Sequence, residues 1–371
     1  MSSIIYVGMD VHTTNYTLCC YDTATGEIFA EVTIEPDYRN ILNYLKRVED
    51  NIGIKVQFIC GYEAGCLGYS LHNELTSKEV KCIILAPTTM ATRRKKGIKN
   101  DSRDAKDIAT CLAYNTYSPV YIPTKEDNAV KEYIRMRDDM KNALKKIKQQ
   151  LIAFCTRNGK HFTEGKNYWT RKHIDWLKEL DFGNLLLNET LQETLTSYYQ
   201  ISDKVEMYDK RIEELANTEL YKERVGKLSC FIGVKAHTAL ATLVEIGDFN
   251  RFKTAQHFAS YLGLVPGESS SGNSIHRTGI TKAGNSHIRK LMVEAAQSYS
   301  RSPIGKKSKA LIERQSGNDP KVIAYADRAN ERMKRKYYRL MNKKGNRNII
   351  VTAIARELAC FIWGMMTDNI A

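Results

Sequence analysis

The sequence predicts an α/β domain over residues 1–122, a helical arm over residues 123–226 and a mainly α-helical domain over residues 227–371. Three observations support this prediction. Short β-rich runs alternate with helical patterns in the first part, and the middle part has almost no β signal and no proline after Pro123. Glycine-rich, strongly basic and apolar helical segments follow in the last part. The 371 residues are enough for two or three buried cores.

The first part predicts a sheet of five strands. IIYVGMDV, YTLCCYD and EIFAEVTI are β-rich, and the TATG turn before the third run predicts an antiparallel start. DYRNILNYLKRVEDN has the apolar spacing of a helix. VQFICGYE and VKCIILAP predict two further strands, with a helix at CLGYSLHNELTS between them. After a basic loop, DSRDAKDIATCLAYN predicts a helix that covers the sheet.

The remaining two parts are predicted to be largely helical. VKEYIRMRDDMKNALKKIKQQLIAFC and ETLQETLTSYYQISDKVEMYDKRIEELANT each predict a long amphipathic helix. The second has apolar residues near heptad spacing, which predicts a coiled-coil arm, although a plain helical bundle has the same pattern. Short helices follow, then the polar loop ESSSGNSIHRTGITKAGN, and finally NIIVTAIARELACFIWGMM as a core helix.

The charge balance points to a polyanionic partner. The chain has 56 Lys and Arg against 42 Asp and Glu, a net charge of +14, which suits nucleic acid, although a solvated basic surface explains the charge alone equally well. Residues 301–347 carry fifteen bases against four acids, with tyrosines between them. Such a segment suits phosphate contact and base stacking. The bases predicted to bind nucleic acid here are Arg332, Lys334, Arg335 and Lys336.

Cysteine usage and the N-terminus predict a cytoplasmic protein with no membrane partner. The nine cysteines are an odd number without a CxxC pair and most lie in apolar runs, so we expect reduced core thiols. MSSIIYVGMD has no basic region or cleavage site of a signal peptide. We expect no membrane span, because no run approaches about 18 apolar residues.

Four carboxylates have a layout that indicates metal-dependent chemistry. Asp10 ends the first strand, Glu63 ends the fourth, and Asp101 and Asp104 lie on the helix after the last strand. Each has a structural explanation alone, as a strand-end residue or a helix-start acid. Together they match the way a ribonuclease-H-like sheet gathers acids around two divalent metals, with Mg²⁺ or Mn²⁺ favoured by oxygen ligands. The bases predicted to hold a phosphate backbone beside them are Arg93, Arg94, Lys95, Lys96 and Lys99.

The segment GLVPGESSSGNSIHRTGITKAGN is a second region of interest. Its composition is that of a flexible loop, and a serine nucleophile would need its hydroxyl activated. No GxSxG motif is present, and SHIRK has the wrong spacing for the His-x-x-Arg element of tyrosine recombinases. The bases in and after this segment that we predict to bind nucleic acid are Arg277, Lys282 and Arg289.

Two blocks of motifs resemble those of a known family. The first block is VGMDVH, CGYEAG and NDSRDA, and the second is VEIGDFNRFKTAQHFASYLGLVP followed by SSSGNS and GITKAGNSHIRKLMVEAA. In both blocks the chain resembles the DEDD transposases of insertion sequences. That group includes the Piv-type DNA invertases, and the resemblance covers nearly the whole chain. It implies a RuvC-like first domain and a serine-containing C-terminal transposase domain. By position, the family acids that bind metal fall on Asp10, Glu63, Asp101 and Asp104.

The same resemblance implies how DNA is joined. The family's catalytic serine precedes a glycine, which places it at Ser271, although Ser269 and Ser270 are near enough for an error of one position. Ser271 would attack a DNA phosphate and form a covalent protein–DNA intermediate, with the metal-bound acids in the same composite site. The implied partners are the element ends and target DNA, a structured non-coding guide RNA, and further copies of the chain in dimers and tetramers.

One departure from the family concerns FIGVKAHTA, where Ile232 and Lys235 replace a proline and a glycine of a helix-hairpin-helix turn. Two alternatives stay open. A plain metal-dependent nuclease, such as a junction resolvase, would form no covalent serine adduct. A non-catalytic protein that binds nucleic acid would show no Mg²⁺-dependent strand transfer.

Overall fold

The structure is a computed structural model, and it describes residues 4–90, 100–268 and 277–370. The chain forms two compact units, Met1–Ile122 and Pro123–Ala371. Each unit has its own hydrophobic core. The nine cysteines form no disulfide, and most of them are buried.

A mixed five-stranded sheet with the strand order β3-β2-β1-β4-β5 is the frame of the first unit. The first three strands are antiparallel neighbours, whereas the last two run parallel to the first. The predicted α/β class and antiparallel start are confirmed. The strands are β1 (Ile4–Val11), β2 (Tyr16–Asp22), β3 (Ile28–Ile34), β4 (Gln57–Glu63) and β5 (Lys81–Leu85).

Helices cover both faces of this sheet. They are α1 (Tyr38–Ile52), α2 (Ser70–Thr76) and α3 (Asp101–Tyr114). Successive side chains of a strand point to opposite faces, so Leu18 of β2 packs with α1 and α2, whereas Cys19 packs with Ala105 of α3. The layers are therefore α1 and α2, the sheet, and α3.

The second unit begins with a long helical hairpin. Its helices are α4 (Lys125–Arg157) and α6 (Leu185–Ala216), with the short α5 (Arg171–Glu179) between them. They run antiparallel, because Tyr133 packs against the ring of Tyr208 while Lys148, further along α4, lies over the ring of Tyr198 nearer the start of α6. The two long helices are confirmed, and the coiled-coil geometry stays a prediction.

Seven more α-helices, a short 3-10 helix (Gln297–Arg301) and a small hairpin complete the second unit in the part of the chain that the structure describes. The predicted boundary between residues 226 and 227 lies inside the first of these helices. The helices are α7 (Lys222–Ser229), α8 (Ala236–Ile246), α9 (Ala255–Tyr261), α10 (Ser286–Ala296), α11 (Lys309–Gln315), α12 (Pro320–Lys344) and α13 (Arg347–Met366). Two short paired strands, β6 (Pro266–Glu268) and β7 (Arg277–Ile280), lie in and next to the segment predicted as a loop.

The last helix, α13, is long and apolar enough to cross a membrane by length and composition, which the sequence analysis did not expect. Its apolar side chains have a different explanation, since Ile354, Leu358 and Ile362 are fully buried in the core of the second unit. α13 packs against α9, α10 and α12. It is the predicted core helix, and the high hydropathy reflects burial on several sides.

Candidate functional site

Two carboxylates end neighbouring parallel strands at the same edge of the sheet. In the parallel register of β1 and β4, Met9 lies opposite Tyr62, and these residues directly precede Asp10 and Glu63. The Asp10 side chain is 14% exposed, whereas Glu63 is exposed at the end of β4. Both acids therefore lie at strand ends, as predicted.

The start of α3 brings two more acids to this unit's sheet. Asn100 caps the helix, because its side chain accepts a hydrogen bond from the backbone N–H of Ser102 at 3.1 Å. Asp101 and Asp104 occupy the first turn. Residues three apart in a helix lie on neighbouring parts of one face, so both acids belong to the same helix end.

Gly8 allows α3 to lie directly on β1. A Cβ atom at this position would be 2.0 Å from the carbonyl oxygen of Ala105 and 2.4 Å from the backbone nitrogen of Ala109. Only glycine permits so close an approach of helix and strand backbones. Because Gly8 is two residues before Asp10 and Ala105 is one residue after Asp104, this contact sets the position of the helix acids relative to Asp10.

Asp10, His12 and Asp101 form a compact group of possible metal ligands. Among the described residues, one ligand atom from each lies within 4.8 Å of the other two. Nε2 of His12 is 3.3 Å from Oδ2 of Asp10. Glu63 and Asp104 do not belong to this trio. His12 was not predicted as a ligand, although the alternation of a strand places residues 10 and 12 on one face.

The electrostatics of Asp10 favour a cation beside it. Burial raises the pKa of Asp10, the His12 side chain acts in the opposite direction, and repulsion from Asp104 and Asp101 raises it further. Within the described residues, the buried Oδ2 of Asp10 accepts no hydrogen bond of good geometry. A divalent ion held by these carboxylate oxygens would neutralise the repulsion and supply the missing partner, so the residues fit the metal that the acid layout predicts.

Several predicted residues lie outside the part of the chain that the structure describes. Both gaps fall where the sequence analysis placed nucleic-acid contacts or the nucleophile. The residues are Arg93, Arg94, Lys95, Lys96 and Lys99 in one gap, and Ser271 with its neighbours Ser269 and Ser270 in the other. Arg277 is described only by its backbone, which begins β7.

The base of the β6–β7 hairpin is held by Arg289. This side chain donates from Nη1 to the carbonyl oxygens of Leu262, at 2.9 Å, and Ala283, at 2.8 Å. The backbone N–H of Asn285 also donates to the carbonyl of Tyr261. Arg289 was predicted to contact nucleic acid, and in the structure its guanidinium joins the two chain segments that lead into the loop. Lys282 is exposed nearby.

Most of the α12 bases that were predicted to contact nucleic acid form ion pairs with acids of the same unit. Lys334 is 3% exposed and donates to the carbonyl of Lys306. Arg332 and Lys336 both donate to the carboxylate of Glu357, and Arg335 pairs with Glu331. Lys334 therefore lies in the interior, and the other three bases form ion pairs with two acids, Glu357 and Glu331.

A buried ion-pair network in the second unit was not predicted. Oδ2 of Asp138 on α4 lies 2.8 Å from Nε2 of His287 on α10, and Oδ1 lies 3.0 Å from Nε2 of His237 on α8. The other ring nitrogen of His287 is 3.2 Å from Glu245. Burial alone would raise the pKa of Asp138 and of Glu245, but the histidine hydrogen bonds lower both, that of Glu245 to about 2.

Comparison with known proteins identifies the family. Residues 7–157 match the DEDD transposase family of IS110 type, and residues 227–313 match the family described as "Transposase IS116/IS110/IS902 family". The transposase for insertion sequence element IS1533 of Leptospira borgpetersenii is 32% identical over 351 residues, which are 93% of this chain and 99% of that protein.

Two other relatives extend this result. The transposase for insertion sequence element IS1111A of Coxiella burnetii is 24% identical over 330 residues, 86% of this chain and 85% of that protein. The pilin gene-inverting protein of Moraxella bovis is 32% identical over 155 residues, 38% of this chain and 48% of that protein. The DEDD domain implies a ribonuclease-H-like fold for the first unit. The chain belongs to the IS110/IS116 family of insertion-sequence transposases.

Proposed function

We propose that this transposase cuts and rejoins DNA at the carboxylate cluster of its first unit, with a divalent metal ion as cofactor. The observation that carries the proposal is the buried Oδ2 of Asp10, which lies beside His12 and Asp101 in a group of converging ligand atoms. Asp10 and Asp101 would bind the ion directly, with Asp104 and Glu63 completing the acidic set. Oxygen ligands favour Mg²⁺ or Mn²⁺.

The cluster's own residues determine where the DNA phosphate can bind. When present, a divalent ion would stabilise negative charge on the reacting phosphate and on the leaving oxygen. Asp10 is fixed by the β1 register and Asp101 by the Asn100 cap and by the contact of α3 with Gly8. Both carboxylates therefore have rigid supports, as a site that aligns a phosphodiester requires.

The nucleophile that we propose is Ser271. Its Oγ would form a bond to phosphorus, the bond from phosphorus to a deoxyribose oxygen would break, and that oxygen would leave as a hydroxyl. Support comes from the Ser/Gly motif before β7 and from the match of residues 227–313 to the transposase family. The similarity to a pilin gene-inverting protein supports a conservative cut-and-rejoin reaction of the Piv type.

The proposal includes two partners besides DNA. A structured non-coding RNA encoded by the element would select the target and donor sequences, and the net charge of +14 suits both nucleic acids. Further copies of the chain would assemble into dimers and tetramers through the helical hairpin. Leu185 and Leu186 support this assembly, since at the start of α6 they are 74% and 70% exposed.

A covalent-capture assay tests the reaction. The protein, RNA transcribed from the element end and end-junction DNA are incubated with Mg²⁺ and separated on a denaturing gel. We expect a protein–DNA adduct that is lost in Ser271→Ala and in Asp101→Asn. Ser270→Ala is the matched control for the position of the nucleophile. Metal-dependent cleavage without an adduct, and unchanged in Ser271→Ala, would instead identify a plain nuclease.

A further inference from the structure

The second unit contains a cavity of about 710 Å³ between α4, α6, α8 and α10. The carboxylate chemistry proposed above does not use it. Because four different helices form its walls, it is a true concavity and not a flat basic surface. Its basic lining residues are Arg137, Lys141, Lys145, Lys148, Lys235 and Lys290.

Most of the positive charge in this cavity has no acidic partner. In the described part of the chain, no carboxylate oxygen lies within 4.0 Å of the ammonium groups of four lysines. These are Lys141, Lys145, Lys235 and Lys290. Unpaired ammonium groups that converge on one concavity create a local positive field.

The acids of the lining only partly oppose this field. Asp209 is held by Arg137, at 2.6 Å, and Asp138 by Arg137 and two histidines. Their charges are thus already compensated. Glu213 and Glu294 are the other two acids of the lining. The four unpaired lysines therefore outnumber the acids that remain to balance them.

The lysines are arranged in a way that suits a chain of phosphates. Lys141, Lys145 and Lys148 are spaced i, i+4 and i+7 on α4, so they form a stripe about 10 Å long on one helix face. The ammonium group of Lys148 lies over the rings of Trp169 and Tyr198, which leaves Lys141 and Lys145 as the unengaged charges of the stripe. Lys290 on α10 adds charge from another wall. Lysine ammonium groups bind phosphates as point charges, without requiring one fixed geometry.

The turn before α8 brings backbone into the same cavity. Gly233 has a φ of +82°, and a Cβ there would be 2.2 Å from the carbonyl of Ala295 in α10. Lys235 follows at the helix start, where no side chain caps the first turn. Ala236, His237 and Thr238 of that turn line the cavity, beside the unpaired lysines. Gly233 thus lets the turn pack directly on α10 and places the residues that follow it in the wall of the cavity.

The lining also indicates which part of a nucleic acid would bind. No Phe, Tyr or Trp is among the described residues that line the cavity, so it offers no platform for stacking a base. We propose that this lysine cavity, made of α4, α6, α8 and α10, binds the phosphate backbone of a nucleic acid without reading its sequence. The inference rests on the proposed function in one respect, that the ligand is DNA or RNA.

Salt-dependent binding tests the lysine cavity. A fluorescein-labelled random-sequence DNA duplex and a labelled random-sequence single-stranded RNA are titrated with the full-length protein in EDTA, over a range of salt concentrations. We expect Lys141→Ala/Lys145→Ala/Lys290→Ala to bind at least about tenfold more weakly and to reduce the slope of log K against log salt by about three. These side chains are exposed, so the fold should be unaffected, as circular dichroism would verify.

The matched control removes the same charge elsewhere. Lys125→Ala/Lys146→Ala/Lys204→Ala alters three exposed lysines outside the cavity, on α4 and α6. A reduced slope with DNA alone or with RNA alone supports the cavity and identifies its ligand. Equal slopes for the two triple variants with both probes would overturn it. Because EDTA prevents metal-dependent cleavage, failure here is distinct from failure to form the serine adduct.

Discussion

Nε2 of His287 lies 2.8 Å from Oδ2 of Asp138, at the centre of an ion-pair network that joins three helices of the second unit. The other ring nitrogen, Nδ1, lies 3.2 Å from Oε1 of Glu245. An ionised carboxylate only accepts hydrogen bonds, so both ring nitrogens must donate, and the imidazolium is the form that fits. The hydrogen bonds that His287 donates to Asp138 and Glu245 raise its pKa to about 9.

We expect His287→Gln to destabilise the protein in a pH-dependent way. The folded pKa of about 9 is above the ordinary value of 6.5, so the stabilisation is complete below pH 6.5 and is lost as the pH rises through 9. The free energy of unfolding should fall by roughly 2 kcal/mol near pH 6, since two buried carboxylates lose their cation and some solvent screening remains.

Urea unfolding at about pH 6 and about pH 10 measures this difference. His257→Gln is the control, because that side chain is exposed. An equal loss of stability at both pH values would mean that His287 is neutral in the folded protein.

Gly8→Ala should disrupt the carboxylate cluster through the backbone of α3. The added Cβ would meet the Ala105 carbonyl at 2.0 Å, and backbone cannot move aside as a flexible side chain can. We expect a loss of roughly 3 kcal/mol in the free energy of unfolding, together with weaker Mn²⁺ binding. Calorimetric titration and urea unfolding measure both effects.

Gly65→Ala is the control for this substitution, since its nearest neighbour, the Glu63 carbonyl, is 3.8 Å from the added Cβ. It should leave the free energy of unfolding nearly unchanged. If Gly8→Ala bound Mn²⁺ as the unaltered protein does, the contact between β1 and α3 would not determine the position of the acids.

The elements that the sequence predicted correctly have strong periodic patterns. The apolar spacing of DYRNILNYLKRVEDN predicted a helix, and the residues with that spacing are the buried residues of α1, namely Ile41, Tyr44, Leu45 and Val48. The β6–β7 hairpin was missed because its strands have three and four residues in a polar segment, too few to establish an alternation. α5 is also short, with nine residues.

The residues of the candidate site also fall into those that could be predicted from the sequence and those that could not. Strand ends and helix starts can be located from sequence, so Asp10, Glu63 and Asp101 could be placed on their elements. Pairings between residues that are distant in the sequence cannot be located in this way. The partnership of Lys336 with Glu357 and that of Asp138 with His287 depend on how whole helices pack, which no local spacing contains.

His12 should bind the metal through its imidazole. Nε2 lies in the same trio of ligand atoms as the carboxylates of Asp10 and Asp101, which makes a nitrogen ligand available to an ion that also binds oxygen. With Mn²⁺ bound, electron spin-echo spectroscopy should detect modulation from a coordinated ¹⁴N nucleus, and His12→Gln should abolish it.

The control for this measurement is His72→Gln, in α2 of the same unit and outside the trio. His12→Gln should also weaken Mn²⁺ binding about 10-fold, within the range for loss of a ligand or of a residue that orients one. If Mn²⁺ bound without ¹⁴N modulation in the unaltered protein, His12 would be only an ion-pair partner of Asp10.

Arg289→Ala should impair strand joining without changing how DNA binding depends on salt. Its guanidinium holds Leu262 and Ala283, the residues from which the chain enters and leaves the segment with Ser271. Loss of this support should reduce adduct formation roughly 10- to 100-fold, because small displacements of a nucleophile are costly. Lys253→Gln is the control, an exposed base of the same unit that is not among the predicted nucleic-acid contacts. If Arg289 contacted phosphate instead, its removal would lower the salt slope by about one. The salt titration therefore distinguishes the two roles, because the slope stays unchanged if Arg289 only supports the loop and falls if it contacts phosphate.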